Sequence, residues 1–453
     1  MNKEILKLSI PNIISNITVP LMGIASTAIA GRIEGSSAAV TIGALSIGVA
    51  IFNFIYWNCS FIRMGTSGLT AQAFGAGDKK SITLMLWRAL IVALGVGVVA
   101  FLLQYPIGEF SIDFMGTGDA DSDAMISRYF YTRIWAVPAG ILLFAFNGWL
   151  TGMQNAVVPM VVAITVNIIH IACSFLFSIV GTMGLEGIAL GSVVAQWTGV
   201  AIMVVIVTLK YRKSLVSVSF KEVMDLSAMK EFFAINGDII IRTFCLVAVY
   251  TFFTKASADS GDANILAVNT ILLQLFTLFS YMNDGFAFAA EALTGRFIGA
   301  HDAKSLRRCV KLCLIWGLAI ALIYVGVYVG WWRDIFSLLV SSDTENIGAL
   351  LAVAEEYIGW IIVIPIACAM PFIMDGIMVG ATRSRIMRNS MIYSAITYFM
   401  ILYGLGWLIG NNALWMAFTL FMFLRGVLQF FMSDKLRDIY RDAEQVGKEQ
   451  NFS

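Results

Sequence analysis

The chain has 453 residues, of which 59% are hydrophobic and 13% charged. Soluble domains carry about 25% charge, so a water-soluble enzyme or a nucleic-acid binder is excluded. Thirty Lys and Arg against 29 Asp and Glu leave a formal charge of +1, too little for a net field that steers anionic partners. Six cysteines in apolar stretches and two histidines form neither a disulfide framework nor a zinc cluster.

An apolar helix of about 20 residues crosses the hydrocarbon core of a bilayer. Such windows fall at 9–30, 40–66, 84–104, 126–150, 157–179 and 186–208, then at 234–256, 263–290, 306–330, 351–378, 386–408 and 412–433. The expected fold is an all-α polytopic membrane protein with twelve transmembrane helices in two pseudo-symmetric six-helix lobes. The first window is too long for the apolar region of a signal peptide and carries Pro11 and Pro20, so no cleaved leader is expected.

Charge sets the orientation. With both termini inside, 22 of the 30 Lys and Arg fall in inner loops and tails, Arg88 and Arg388 among them. Five fall outside (Arg32, Arg128, Arg133, Lys255 and Arg333), and three arginines remain within spans. Outer connections are acidic instead, with Asp113, Asp119, Asp121 and Asp123 in one and Asp343, Glu345, Glu355 and Glu356 in another. The expected location is the cell inner (cytoplasmic) membrane, multi-pass, with cytoplasmic N- and C-termini.

The chain also repeats itself. Leu69-Thr70, Gly75-Ala76, Asp78, Lys80 and Ser81 recur 224 residues later as Leu293-Thr294, Gly299-Ala300, Asp302, Lys304 and Ser305. Gly148 and Gly152 recur 228 residues later as Gly376 and Gly380. Six spans return a chain to its starting side, so the halves are parallel repeats about an axis along the membrane normal. The organisation expected is a lobe at 1–212, a cytoplasmic linker at 213–232 lying solvated on the membrane surface, a second lobe at 233–433 and a cytoplasmic tail at 434–453. Paired bundles suit alternating access around a midplane site.

Charges inside a membrane are costly and face a cavity or a partner. Seven qualify: Arg63, Asp238, Arg242, Asp284, Glu291, Asp375 and Arg425. All four acids lie in the second half. Asp238 and Arg242 stand four apart, within pairing distance on one helix, and Asp284 and Glu291 share a face. Asp238, Asp375, Asp284 and Glu291 are candidates for ion coupling, with a structural ion network as the alternative. His170 is the titratable candidate of the first half. Repeat symmetry maps Arg63 to position 287, one turn from Asp284, which makes Arg63, Arg242 and Asp284 candidates for gating ion pairs. Ser26, Asn16, Asn53, Asn167, Ser174, Asn269 and Gln274 are candidate cavity polars.

Four long motifs resemble the multidrug and toxic compound extrusion (MATE) family, in particular its DinF-like branch. They are Phe61-Ile-Arg-Met-Gly-Thr-Ser-Gly-Leu-Thr-Ala-Gln-Ala-Phe-Gly-Ala-Gly-Asp78, Asn236-Gly-Asp-Ile-Ile-Ile-Arg-Thr243, Asp284-Gly-Phe-Ala-Phe-Ala-Ala-Glu-Ala-Leu293 and Met374-Asp-Gly-Ile-Met-Val-Gly-Ala-Thr-Arg-Ser384. The resemblance implies a two-lobed exporter of amphipathic, often cationic compounds in exchange for H+ or Na+. It also implies a first-helix aspartate after Pro20-Leu-Met-Gly, where this sequence has Ser26, and in some relatives a fifth-helix acid, where it has Ser174. Ion coupling is therefore expected in the second half.

The expected function is secondary-active export of small organic substrates, with a lipid or lipid-linked oligosaccharide flippase as the alternative. The chain has no Walker A motif, and His170 and His301 stand in different halves, so no enzyme is expected. No cofactor or metal is expected beyond the transported ion. The expected partners are small organic substrates and the lipid bilayer, with no nucleic acid, and the chain is expected to work as a monomer.

Overall fold

The computed structural model describes residues 1–33, 37–339 and 347–449. Asp343 and Glu345 of the expected acidic loop lie outside the described residues, as does the side chain of Lys448. Among the described residues the secondary structure is entirely helical.

The first half comprises α1 (Asn2–Ala30), α2 (Ala38–Cys59), α3 (Phe61–Gly75), α4 (Lys79–Leu102), α5 (Gln104–Met115), α6 (Ala120–Arg133), α7 (Val137–Gly152), α8 (Val157–Phe175) and α9 (Leu185–Lys210). A short α10 (Phe220–Val223) leads into α11 (Leu226–Ala258), α12 (Ala263–Gly299), α13 (Ala303–Leu339), α14 (Ile347–Gly380), α15 (Ser384–Ile409), α16 (Asn411–Met432) and α17 (Arg437–Glu449). Among the described residues twelve segments are long and apolar enough to cross a membrane, α2 joining α3 and α6 joining α7 as single spans. Their outer faces present Ile24, Leu209 and Trp407 to the surroundings, as lipid requires.

Two compact units result, residues 14–233 and residues 1–13 with 234–453. The first three turns of α1 thus belong with the second half of the chain. There Glu4 pairs with Arg296 at 3.1 Å, and Gly285 lies so close that a Cβ would meet the Ser9 carbonyl at 3.0 Å. In the 14–233 unit the core gathers on Trp149, whose indole N–H donates to the Ile82 carbonyl at 3.0 Å. In the other unit Trp415, Phe418, Phe253 and Phe276 form an edge-to-face cluster.

The repeat is reproduced contact by contact. Gly148 of α7 seats against the backbone of Arg63 on α3, and Gly376 of α14 against that of Ala287 on α12. Those partners are 224 residues apart. Gly152 faces Ser67, Thr70 and Ala71, whereas Gly380 faces Glu291, Thr294 and Gly295, again at the same offset. Small residues let helices approach where lipid offers no hydrophobic drive.

The turn between the second and third spans repeats too. Asp78 accepts from the Ser81 amide at 3.0 Å and Asp302 from the Ser305 amide at 2.9 Å. The Ser81 and Ser305 hydroxyls foremost, with these amides, hold both carboxyls below the usual carboxylate range. Both turns need a left-handed residue, which Gly77 supplies at φ +70° and His301 at φ +53°.

The connection around α10 differs from a solvated linker. The Val216 amide donates to Thr83 Oγ1 at 3.1 Å. Arg88, counted as an inner-loop charge by sequence, is 5% exposed and donates to the carbonyls of Val223 and Glu222, both at 2.9 Å. Lys80 pairs with the Glu222 carboxylate at 2.5 Å. Cationic side chains are favoured where a helix leaves its last carbonyls unpaired, so α10 docks on α4.

Candidate functional site

In the 14–233 unit, α1, α2, α6, α8 and α9 enclose a cavity of about 230 Å³. Ser26, Asn53, Tyr129, Arg133, His170 and Ser192 line it with apolar Val19, Met22, Leu45 and Val49. His170, 5% exposed, stands 3.1 Å by Nε2 from the Ser26 hydroxyl. Its Nδ1 lies 3.2 Å from Ser192 Oγ and 3.5 Å from Ser174 Oγ. A neutral imidazole donates from one nitrogen and accepts at the other, and hydroxyls serve either role. Gly191 allows this approach, since a Cβ there would stand 2.7 Å from the Ser174 amide nitrogen. The backbone after α8 widens to a π turn over Leu176–Val180, a distortion frequent near functional sites.

The sequence places Arg133 among the outer-loop charges. It is instead the last residue of α6 and lines the cavity. Its guanidinium lies 4.8 Å from the Phe52 ring centre and 5.5 Å from that of Tyr129, and Nη1 donates to the Tyr129 hydroxyl.

The buried acids of the other unit are clasped between helices. Asp375 on α14 meets Arg242 of α11, Nη2 to Oδ2, at 2.5 Å. Its Oδ1 accepts from Gln429 Nε2 of α16 at 2.6 Å, and Arg425 of α16 stands 3.9 Å away. Arg425 is 2% exposed and lies over Phe372 at 4.8 Å. Asp238 pairs with Arg388 Nη1 of α15 at 2.6 Å and accepts from Ser384 Oγ at 2.8 Å. Asp238 and Arg242 thus each take partners on other helices, and the i, i+4 pairing open to them is not used.

Other candidates have separate places. Asp284 is half-buried on α12, within electrostatic reach of Tyr250 and Tyr281. Glu291 is 1% exposed on the same helix. Arg63 is half-buried on α3. Asn167 donates to Thr18 Oγ1 at 2.9 Å. Asn269 ties together Ser257, Asn411 and Trp415 as a packing node. Gln274 is exposed and Asn16 half-buried. A separate cavity of about 560 Å³ is lined by Lys255, Glu356, Tyr357, Tyr403, Asn411 and Asn412, none of them among the buried acid pairs.

The MatE family model matches residues 11–176 and 240–408, one stretch in each half. The chain belongs to the MatE family. It is a multi-pass membrane transporter of the MATE type. It is 32% identical over 426 residues to DNA damage-inducible protein F of Escherichia coli (strain K12), a match covering 94% of this chain and 90% of that protein. A probable multidrug resistance protein NorM of Thermotoga maritima is 21% identical over 363 residues, covering 77% of this chain and 74% of the relative. Among solved structures, a MOP superfamily transporter from Pyrococcus furiosus superposes with TM-score 0.83 at 17% identity, covering 97% and 96% of the two chains. An outward-facing multidrug resistance MATE transporter superposes with TM-score 0.84 at 16% identity, over the same shares.

Proposed function

We propose that this MatE protein exports small amphipathic organic compounds by antiport against H+ or Na+, as a monomer in the cytoplasmic membrane. Two six-helix lobes would alternate access, with both chain ends cytoplasmic. Relatives called multidrug resistance proteins support organic compounds as cargo, and the lack of a Walker A motif leaves an ion gradient as the drive.

The observation that carries the coupling is the Asp375 cluster. A carboxylate held between Arg242, Gln429 and Arg425 has both oxygens engaged. A proton or sodium ion arriving there competes with Arg242 for the same oxygen. Ion arrival and the tie between α11 and α14 therefore oppose each other, which is what a two-state element needs from its ligand. Asp238, tied to α15 by Arg388, is the second such switch.

Counterflow in proteoliposomes tests this, with pH and sodium gradients imposed separately. Uphill movement of an organic dye should follow one of them and collapse with the matching ionophore. Undiminished export with both gradients dissipated and ATP supplied sinks the reading.

A further inference from the structure

We infer that the cavity of the 14–233 unit binds the anionic group of the transported compound, and that Arg133 recognises it. The inference rests on the export reading and adds to it the sign of the substrate's charge, opposite to the cationic cargo that the resemblance implies.

The two halves treat the guanidiniums within their helices differently, Arg242 and Arg425 being buried and Arg133 and Arg388 half-buried. Arg242, Arg425 and Arg388 each reach an aspartate on another helix, at 2.5, 3.9 and 2.6 Å. Arg133 reaches none among the described residues. Its supports are the ring faces of Phe52 and Tyr129 and the Tyr129 hydroxyl. Aromatic faces attract a cation but leave its charge in place. Its Nε is buried and donates to no described acceptor. A buried donor without a partner is costly, and a partly desolvated charge more so.

The remaining polar lining offers no counter-charge. Ser26, Thr27, Ser46 and Ser192 are hydroxyls, Asn53 an amide and His170 an imidazole, and no carboxylate is among the described lining residues. The acids that begin α6 are used elsewhere or solvated: Asp119 caps the helix through Ser122, Asp123 accepts from Thr117, and Asp121 is exposed. The cavity thus presents one uncompensated cation, two hydroxyls bonded to an imidazole, and an apolar wall of Val19, Met22, Leu45 and Val49.

That set matches a small organic anion. A carboxylate or sulfonate accepts from the guanidinium of Arg133 where it lines the cavity, with the serine hydroxyls as further donors and the organic body on the apolar wall. An organic cation would bring like charge against Arg133. A cavity of about 230 Å³ is below the usual range for whole drug-sized ligands, so it suits the charged end of the molecule.

Equilibrium dialysis of the purified full chain tests this, with 2-naphthalenesulfonate against the quaternary ammonium of the same naphthalene skeleton. The sulfonate is expected to bind roughly tenfold tighter or better, the scale of a charge-assisted hydrogen bond. Arg133→Gln should erase that preference, and Arg133→Lys should keep part of it. Ser26→Asp leaves the Arg133 packing intact and supplies a carboxylate inside the cavity, so sulfonate binding should fall by a similar factor. Repeating the titration in phosphatidylcholine nanodiscs with and without phosphatidylglycerol distinguishes two sources of the same chemistry. Unchanged binding supports a soluble anion, and displacement supports an anionic lipid headgroup at Arg133. Tighter binding of the ammonium, binding of neither probe, or sulfonate binding indifferent to Arg133→Gln overturns the assignment. Ion-driven export of cations with no anion binding would leave the export reading standing and sink only this one. Anion binding without any ion-driven export would do the reverse.

Discussion

Arg242 on α11 and Asp375 on α14 are joined Nη2 to Oδ2 at 2.5 Å, both within a tenth of full burial. Breaking a buried pair by removing one partner leaves an uncompensated charge and costs about 3–5 kcal/mol. Arg242→Ala is therefore expected to destabilise the 234–453 part strongly, because Arg425 at 3.9 Å is a poor substitute. Arg242→Met combined with Asp375→Leu should cost less than the sum of the single changes. Denaturant unfolding in detergent, arranged as a double-mutant cycle, reads this directly. Strict additivity would mean that the pair does not act as one.

Asp375→Asn and Asp238→Asn keep shape and some hydrogen bonding but can no longer change charge. Each is expected to abolish gradient-driven uphill export while downhill exchange and substrate binding persist. Ser26→Ala should be milder, since Ser192 and Ser174 still hold His170. The readout is the ratio of gradient-driven to exchange flux in proteoliposomes. Normal pumping by both Asn variants would move the coupling to His170.

The spans and the repeat were legible in the sequence because both rest on many residues at once: long apolar windows, and identities kept at one offset. Seating of Gly148 on Arg63 and Gly376 on Ala287 follows from that offset. Ion-pair partners were not legible. Asp238 and Arg242 invite pairing along their helix, but an i, i+4 pair contributes only about 0.3–0.5 kcal/mol, so tertiary packing decides. The structure gives them Arg388 and Asp375, neither deducible from spacing. Arg133 was misplaced for a simpler reason. It falls inside the 126–150 window yet counts there as an outer charge, whereas it ends α6 on the cavity wall. Asn269, read as a cavity polar, is a packing node, a distinction that composition cannot make.

The glycine contacts should respond alike in the two halves. A Cβ at Gly152 would lie 2.6 Å from Thr70 Cβ and 2.9 Å from the Ala71 amide nitrogen, and one at Gly380 would lie 2.9 Å from the Gly295 amide nitrogen. Backbone atoms cannot rotate aside as a side-chain tip can. Gly152→Ala and Gly380→Ala are each expected to force α3 from α7, or α12 from α14, at the 1–3 kcal/mol typical of overpacking. Gly326→Ala, where nothing lies within 4 Å, should be neutral. Thermal unfolding of the three variants side by side distinguishes these outcomes.

Docking of α10 should depend on pH through Glu222. The Lys80 ammonium, with help from the Ser219 amide and hydroxyl, holds the Glu222 carboxyl down at about 2. An unfolded glutamate titrates near 4.3. A carboxyl whose folded value is depressed contributes stability above its unfolded value and loses it as pH falls through the folded one. The contribution should therefore be whole above about pH 4.3 and gone near pH 2. Glu222 is solvent-exposed, so salt should weaken the effect. Amide protection at Phe220–Val223, corrected for intrinsic exchange, is expected to fall across that window in wild type and to stay flat in Glu222→Gln. Arg88 grips the carbonyls of Val223 and Glu222 and does not titrate there, so some protection should survive at the acid end. Arg88→Ala should remove that remainder at every pH. Equal acid sensitivity in wild type and Glu222→Gln would place the titrating group elsewhere.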